Sequence, residues 1–298
     1  MRCGISERLT NIAISITLPQ DDRRGASMFE FFRSLVEMVA PVFVMSTMLN
    51  VGVTQRLSDI TGHLKNYSFV LKMLLANFVL APLVMIVVLT FTSFDPALRD
   101  GLLIFALCAG APFLIKLTQT AEHNVALGAA VMILLIAATA IYVPIVLPLV
   151  MSEIAVDGWA IAKTLLLQLL LPIAVGMLAV QFLPDVAKKM QPWVGLVGNI
   201  TLYVLVAATL IGYFPNMLSI VGTGAILVGL AFVAAAFGIG YLMGGGKDHL
   251  EDVGSLGTAQ RNTAAGVIIA TQNFDDPNVL VMLTLANVLG IVMLFLIA

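Results

Sequence analysis

Gln260, Arg261 and Asn262 stand side by side in GTAQRNTAAGVIIAT, residues 257–271, and Arg261 is the one formal charge between Asp252 and Asp275. Placing an arginine at the centre of a lipid-facing helix costs about 2.5–3.5 kcal/mol, while each Leu, Ile or Val favours insertion by about 0.3–0.6 kcal/mol. Val253, Leu256, Val267, Ile268 and Ile269 together supply roughly 2–3 kcal/mol, which does not cover the cation once Gln260 and Asn262 are added. The segment is therefore enclosed by other helices or lines a wet cavity, where intramembrane ionisable groups belong. A second cation, Lys116, sits in CAGAPFLIKLTQTAEHN, residues 108–124, behind a Gly-Ala-Pro break. Two cations held deep in this way could bind an anion, and a guanidinium stays charged in any protein environment. The plainer alternative is that each caps helix-end carbonyls.

The remaining candidates carry less chemistry. Lys72 and Lys163 lie near helix ends and can snorkel, Glu37 reads as a helix-end carboxylate, and Glu122-His123 reads as interfacial. Met45, Met48, Met73, Met85 and Met132 are packing residues, and Cys3 and Cys108 are too far apart in sequence for a metal pattern or a disulfide framework. The chain has no HExxH, GxSxG, phosphate-binding glycine loop or nucleophile with a base, so an enzyme is not expected and no cofactor is implied.

The elements that must hold these residues follow from composition. Of 298 residues, 60% are hydrophobic and 11% charged, with a formal net charge of −2. Soluble domains run near 45–50% apolar and 25% charged, so this is a multi-pass protein of the cell membrane, with no basic face for nucleic acid. At about 20 residues per crossing, about nine spans are expected, at 35–54, 67–91, 100–118, 122–150, 159–183, 193–213, 218–243, 250–273 and 277–297. Pro96, Pro184, Pro192, Pro215, the triple glycine at 244–246 and Pro277 separate most of them. Residues 1–34 read as a polar or interfacial tail, with Met28 as an alternative start. The segments 108–124 and 253–273 are irregular, and each runs into an apolar helix opening Asn-Val, at Asn124 and Asn278, which suggests an internal repeat. In transporters built from such repeats, paired interrupted helices mark the binding site. Arg56, Lys65, Lys188, Lys189 and Lys247 fall on one set of loops, which places that side in the cytoplasm and the N-terminus outside.

These residues also carry a likeness. CAGAPFLIKLTQTAEHNVALG resembles the broken-helix motif of the bile acid:sodium symporter family, in which Cys-Pro-Gly-Gly is followed by a short helix and Asn-Val-Ala-Leu. GTAQRNTAAG is similar to that family's second broken segment, NFVLAP (77–82) to its Gln-Phe-x-x-Met-Pro, and LANVLG (285–290) to its last-helix asparagine motif. GTAQRN and APF-x-x-KL look like marks of a divergent bacterial branch. The resemblance implies an all-α fold of two inverted repeats with two broken, crossing helices, and nine helices because the first of ten is missing. It implies a core domain near 67–150 and 218–298 and a panel domain near 35–54 and 159–213. Substrate would sit between them and cross by alternating access.

Departures from the family pattern bear on sodium. By this resemblance the hydroxyl and amide ligands of one sodium site fall at Leu114, Ile115, Gly128 and Met132, and the glutamate shared by both sites falls at Gly257. Asn77 is the one retained candidate ligand, and a glutamine of the second site aligns with Arg261. Arg261, helped by Lys116, is thus expected to supply the charge that sodium supplies elsewhere. The candidate substrate and ion contacts are Asn77, Lys116, Thr118, Gln260, Arg261, Asn262 and Asn287. The expected substrate is a small organic anion, a carboxylate or an amphipathic acid. A passive channel and a non-transporting scaffold or receptor are the competing readings.

Overall fold

Lipid offers no partner to a backbone N–H or carbonyl, so each crossing segment must close its own hydrogen bonds or borrow them from a neighbour. The computed structural model describes residues 20–151, 157–245 and 250–298, and these are helical throughout, with no strand. In chain order the helices are α1 (Gln20–Thr54), α2 (Leu57–His63), α3 (Tyr67–Thr90), α4 (Pro96–Leu107) and α5 (Leu114–Thr120). Then come α6 (Val125–Val150), α7 (Gly158–Phe182), α8 (Pro184–Gly212) and α9 (Phe214–Ile220). The chain closes with α10 (Ala225–Gly244), α11 (Leu250–Ala259), α12 (Thr263–Asn273) and α13 (Pro277–Ile297). Seven of these, α1, α3, α6, α7, α8, α10 and α13, are long and apolar enough to cross a membrane.

Those seven coincide with seven of the expected spans. The other two, 100–118 and 250–273, are each divided into two short helices, α4 with α5 and α11 with α12. Three boundaries differ from expectation. α1 begins at Gln20, so part of the expected tail is helix; residues 1–19 lie outside the described residues, as do Gly246 and Lys247. Pro192 does not separate spans but lies inside α8, in its exposed first turns, where water can take the carbonyl that the ring leaves unbonded. Residues 214–220 form the separate helix α9, so α10 begins at Ala225 rather than 218.

Two helices widen by one residue. In α3 and α7 a π turn occupies Ala76–Leu80 and Leu166–Leu170, immediately ahead of Ala81-Pro82 and Leu171-Pro172. Proline lacks a donor and its ring clashes with the carbonyl four residues back. The wide turn accommodates both defects, with Ala81 N–H donating to Ala76 O and Leu171 N–H to Leu166 O. In α3 this turn carries Asn77, and it is buried.

Helix packing forms two groups. α1 lies mainly against α8 and the second half of α7, while α10 lies against α11 and α13 against α4. Contact between α10 and α11 is backbone to backbone. A Cβ on Gly240 would collide with the Gly254 carbonyl, the close approach that small residues permit between membrane helices.

Candidate functional site

The first break begins where α4 stops at Leu107. Gly110 has φ +79, in the left-handed region, and an added Cβ there would collide with the Ile136 backbone nitrogen of α6. Glycine is required on both counts. The backbone freed around the turn is served by Thr139 of α6, whose hydroxyl accepts from Ala109 N–H at 3.1 Å and donates to Ala109 O at 2.9 Å. The second break, residues 260–262, is shorter and uses side chains. Asn262 Oδ1 caps α12 by accepting from Ala265 N–H at 3.0 Å, the usual service of an N-cap asparagine.

The two breaks meet. Asn262 N–H donates to Cys108 O at 2.9 Å, and Ala109 and Arg261 form an isolated antiparallel bridge. Each interrupted helix thus supplies hydrogen bonds that the other lacks. α4 and α11 end at this crossing, so two helix C-termini, each the negative end of a helix dipole, come together where the chain places a cation.

Arg261 turns away from the cavity described below and into the protein. It is 1% exposed, its Nη1 donates to Asn77 Oδ1 at 3.3 Å, and its guanidinium carbon lies 5.1 Å from the Phe232 ring centroid on α10. Asn77 in turn donates from Nδ2 to Met73 O at 3.0 Å and to Thr258 Oγ1 at 3.1 Å. The guanidinium Nε and Nη2 have no protein partner among the described residues. A buried charge with one hydrogen bond and one aromatic face is expensive to keep.

Lys116 is placed differently. It is exposed, and it lines a cavity of about 460 Å³ bounded by α1, the first break, α8, α12 and α13. It is the one charged residue among those lining it. Gln260, 2% exposed, and Asn287, 5% exposed, also face this space, with Thr263 and Thr284 beside them. The expected pairing of Lys116 with Arg261 is therefore corrected: the two cations serve opposite sides of the crossing. Three more candidates are sorted by the structure. Asn77 joins Arg261 and Thr258 in the interior. Asn262 sits at the break itself, with Nδ2 unpartnered among the described residues. Thr118 belongs to neither group; its hydroxyl donates to Leu114 O and Ile115 O, and its methyl packs on Gly128.

The opposite cavity wall escaped the sequence reading. Thr47 and Asn50 of α1 and Asn199 and Thr209 of α8 face Lys116 and Asn287 across the space. Their signal was present, as polar residues one helical turn apart in otherwise apolar helices (Thr47 with Asn50). The two Asn-Val openings differ in their capping. Asn124 caps α6 by accepting from Leu127 N–H, whereas Asn278 lies within the first turn of α13, capped by Asp276, and accepts from Asn216 Nδ2 at 2.9 Å. Glu37, read as a helix-end carboxylate, instead lies midway along α1 and pairs with Arg33 at 2.9 Å, while Lys163, near the start of α7, lies over Trp159. His123 lies 3.6 Å from Asp252, joining the end of α5 to the start of α11.

Known proteins agree with the helical likeness. The chain is 26% identical over 239 residues to the probable sodium/metabolite cotransporter BASS1, chloroplastic, of Arabidopsis thaliana, covering 78% of this chain and 58% of that protein. It is 24% identical over 239 residues to the probable sodium/metabolite cotransporter BASS2, chloroplastic, of Oryza sativa subsp. japonica, covering 78% of this chain and 57% of that one. The chain thus spans less than two thirds of the length of either relative. The profile of the sodium bile acid symporter family matches residues 41–220. With that profile covering more than half of a multi-pass helical chain whose two interrupted segments cross, the protein belongs to the sodium bile acid symporter family.

Proposed function

We propose that this protein is a secondary transporter that moves a small organic anion across the membrane by alternating access, without sodium. The observation that carries the reading is the cavity between α8 and the crossed breaks, in which Lys116 is the lone charge among amides, hydroxyls and apolar side chains. A lysine ammonium binds a carboxylate as a point charge, and Asn287, Gln260 and Asn50 offer neutral partners for the rest of the headgroup.

The architecture we infer has nine passes in two inverted repeats. The core comprises residues 67–150 and 218–298, and the panel 35–54 and 159–213, with 1–34 as a tail. The dominant packing of α1 with α7 and α8 supports such a panel. Substrate would lie between panel and core, and their relative movement would expose it to each side in turn. The segments 55–66 and 184–192 would face the cytoplasm.

Sodium independence rests on Arg261. Its guanidinium donates to Asn77 Oδ1, Asn77 is in turn bonded to Thr258 Oγ1, and the backbone of Arg261 lies at the crossing where α4 and α11 end, a group of oxygens that otherwise suits a metal cation. The positions expected to lack ligand oxygens are packed with carbon: Val131 and Leu114 close around Gly257, and Met132 is fully buried. The relatives are named as sodium/metabolite cotransporters, so this chain would depart from them in its coupling.

Two measurements test the reading. Thermal stabilisation of purified protein across a panel of organic acids, with and without sodium, identifies the anion. Uptake into proteoliposomes in sodium-free buffer should proceed for wild type, and strict dependence on sodium overturns the coupling proposal. Arg261→Gln should lose most sodium-free uptake. A passive channel would instead show unitary conductance far above carrier turnover, and a scaffold would keep its role after both Lys116 and Arg261 are neutralised.

A further inference from the structure

One short turn of the chain, residues 272–278 between α12 and α13, is held from three sides. Arg33 of α1 reaches Asp275 with Nη2 at 3.7 Å, while Glu37 holds its Nε at 2.9 Å. Thr164 of α7 donates from Oγ1 to Gln272 Oε1 at 3.0 Å, and Asn216 of α9 donates to Asn278 Oδ1 at 2.9 Å. Alongside these contacts α12 packs on α1 and α7, and α9 packs on α13. The cavity is closed toward this turn and open away from it. Among its lining side chains, Thr209 of α8, Leu280 of α13 and Phe43 of α1 lie toward the turn and are 2%, 5% and 7% exposed. Nearer the other end of the same cavity Asn199 of α8 and Lys116 are exposed, and Asn50 of α1 is half-buried.

We propose that these three polar contacts form a clasp that holds the protein shut on the side of the 272–278 turn, and that releasing it opens the cavity to that side. This rests on the alternating-access reading above and deepens it by naming the gate. The donors sit on α1, α7 and the α9 connection, while every acceptor sits on the turn that joins α12 to α13. Movement of one group of helices against the other therefore breaks all three contacts together. Their chemistry suits a reversible gate. Gln272 and Asp275 are exposed, so water replaces the lost partner when the clasp parts. An exposed pair of this kind biases a two-state equilibrium by at most about fivefold. Three acting together hold one state strongly, yet leave the other within reach of a ligand that prefers it.

The test uses the full chain in proteoliposomes with Cys3→Ser, which leaves the buried Cys108 as the native thiol. A reporter thiol is placed at the closed end of the cavity by Thr209→Cys and, in a second protein, at the open end by Asn199→Cys. Each is labelled with a membrane-impermeant maleimide applied to one face at a time. With the clasp intact, Asn199→Cys should label from the face that carries the Pro184 end of α8, and Thr209→Cys should stay unlabelled from the opposite face. Asp275→Asn should raise labelling of Thr209→Cys from that opposite face by up to about fivefold. Adding Gln272→Ala and Asn278→Ala should raise it by roughly tenfold or more, while labelling of Asn199→Cys falls. Asp275→Arg should open the cavity further than Asp275→Asn, and Arg33→Asp added to it should restore closure, a rescue that a general loss of packing would not give. Unchanged labelling in the triple variant, or failure of the rescue, overturns the clasp while alternating access stands. Labelling of both thiols from both faces with the clasp intact overturns alternating access, and the clasp with it.

Discussion

The two interrupted helices solve one physical problem with different materials. Between α4 and α5 the chain uses backbone: Gly110 in a left-handed turn, Pro112, and a hydroxyl borrowed from Thr139 of α6. Between α11 and α12 it uses side chains: Asn262 as a cap, and Arg261, whose buried guanidinium donates to Asn77 of α3. Their cations diverge accordingly. Lys116 sits one turn beyond its break and faces the cavity, while Arg261 sits in its break and faces the protein interior. A charge within a break is directed by the crossing, and a charge beyond it is directed by the face of the helix that follows. The two cations therefore occupy separate environments, one open to the cavity and one enclosed in protein.

The contrast can be broken or sharpened by substitution. The largest effect is expected at Gly110→Ala, where a left-handed φ and the Ile136 backbone both oppose a methyl; stability should fall by about 2–4 kcal/mol, read as thermal unfolding of purified protein. A fall below about 0.5 kcal/mol would mean that the first break does not depend on its backbone. Lys116→Gln comes next and should act on the ligand alone, weakening organic-anion binding roughly tenfold with the unfolding temperature unchanged. An equal loss of stability would place Lys116 in the scaffold after all. Asn262→Ala should cost about 1 kcal/mol of stability through the lost cap, and Asn262→Asp, which keeps the accepting oxygen, should cost less. The smallest effect is expected at Gly257→Ala. There the gain in helix propensity is opposed by tight contact with the Val131 and Leu114 side chains, for a net change within about 0.5 kcal/mol. A large loss there would show that the second break needs glycine as much as the first.

Much of this was legible in the sequence because membrane insertion is a local rule. Seven spans follow from apolar length, and both interruptions follow from polar and helix-breaking residues where lipid permits neither. Arg261 was read as enclosed or lining a wet cavity because its insertion cost exceeds what its neighbours offset, and it is enclosed. Lys116 was read as held deep on similar grounds, and it lines the cavity. Its distance from the helix ends implied depth, but depth in the membrane is not burial in protein, and a cavity can be deep and open. The wall formed by Asn50 and Asn199 was missed because each looks, in its own helix, like a tolerated polar residue. Only the packing of α8 on α1 brings them to face the breaks. The direction of Arg261 was not readable either, since it is set by the backbone torsions at the crossing rather than by helical periodicity.

The shared hydrogen bond between Asn262 N–H and Cys108 O has a consequence for biogenesis. When α4 and α5 first enter the membrane, the segment that completes their backbone has not yet been synthesised. The earlier half of the protein must wait with an exposed polar carbonyl at bilayer depth until α11 and α12 arrive. Truncation anywhere before Arg261 should leave a product that inserts but never matures, and that cellular quality control removes.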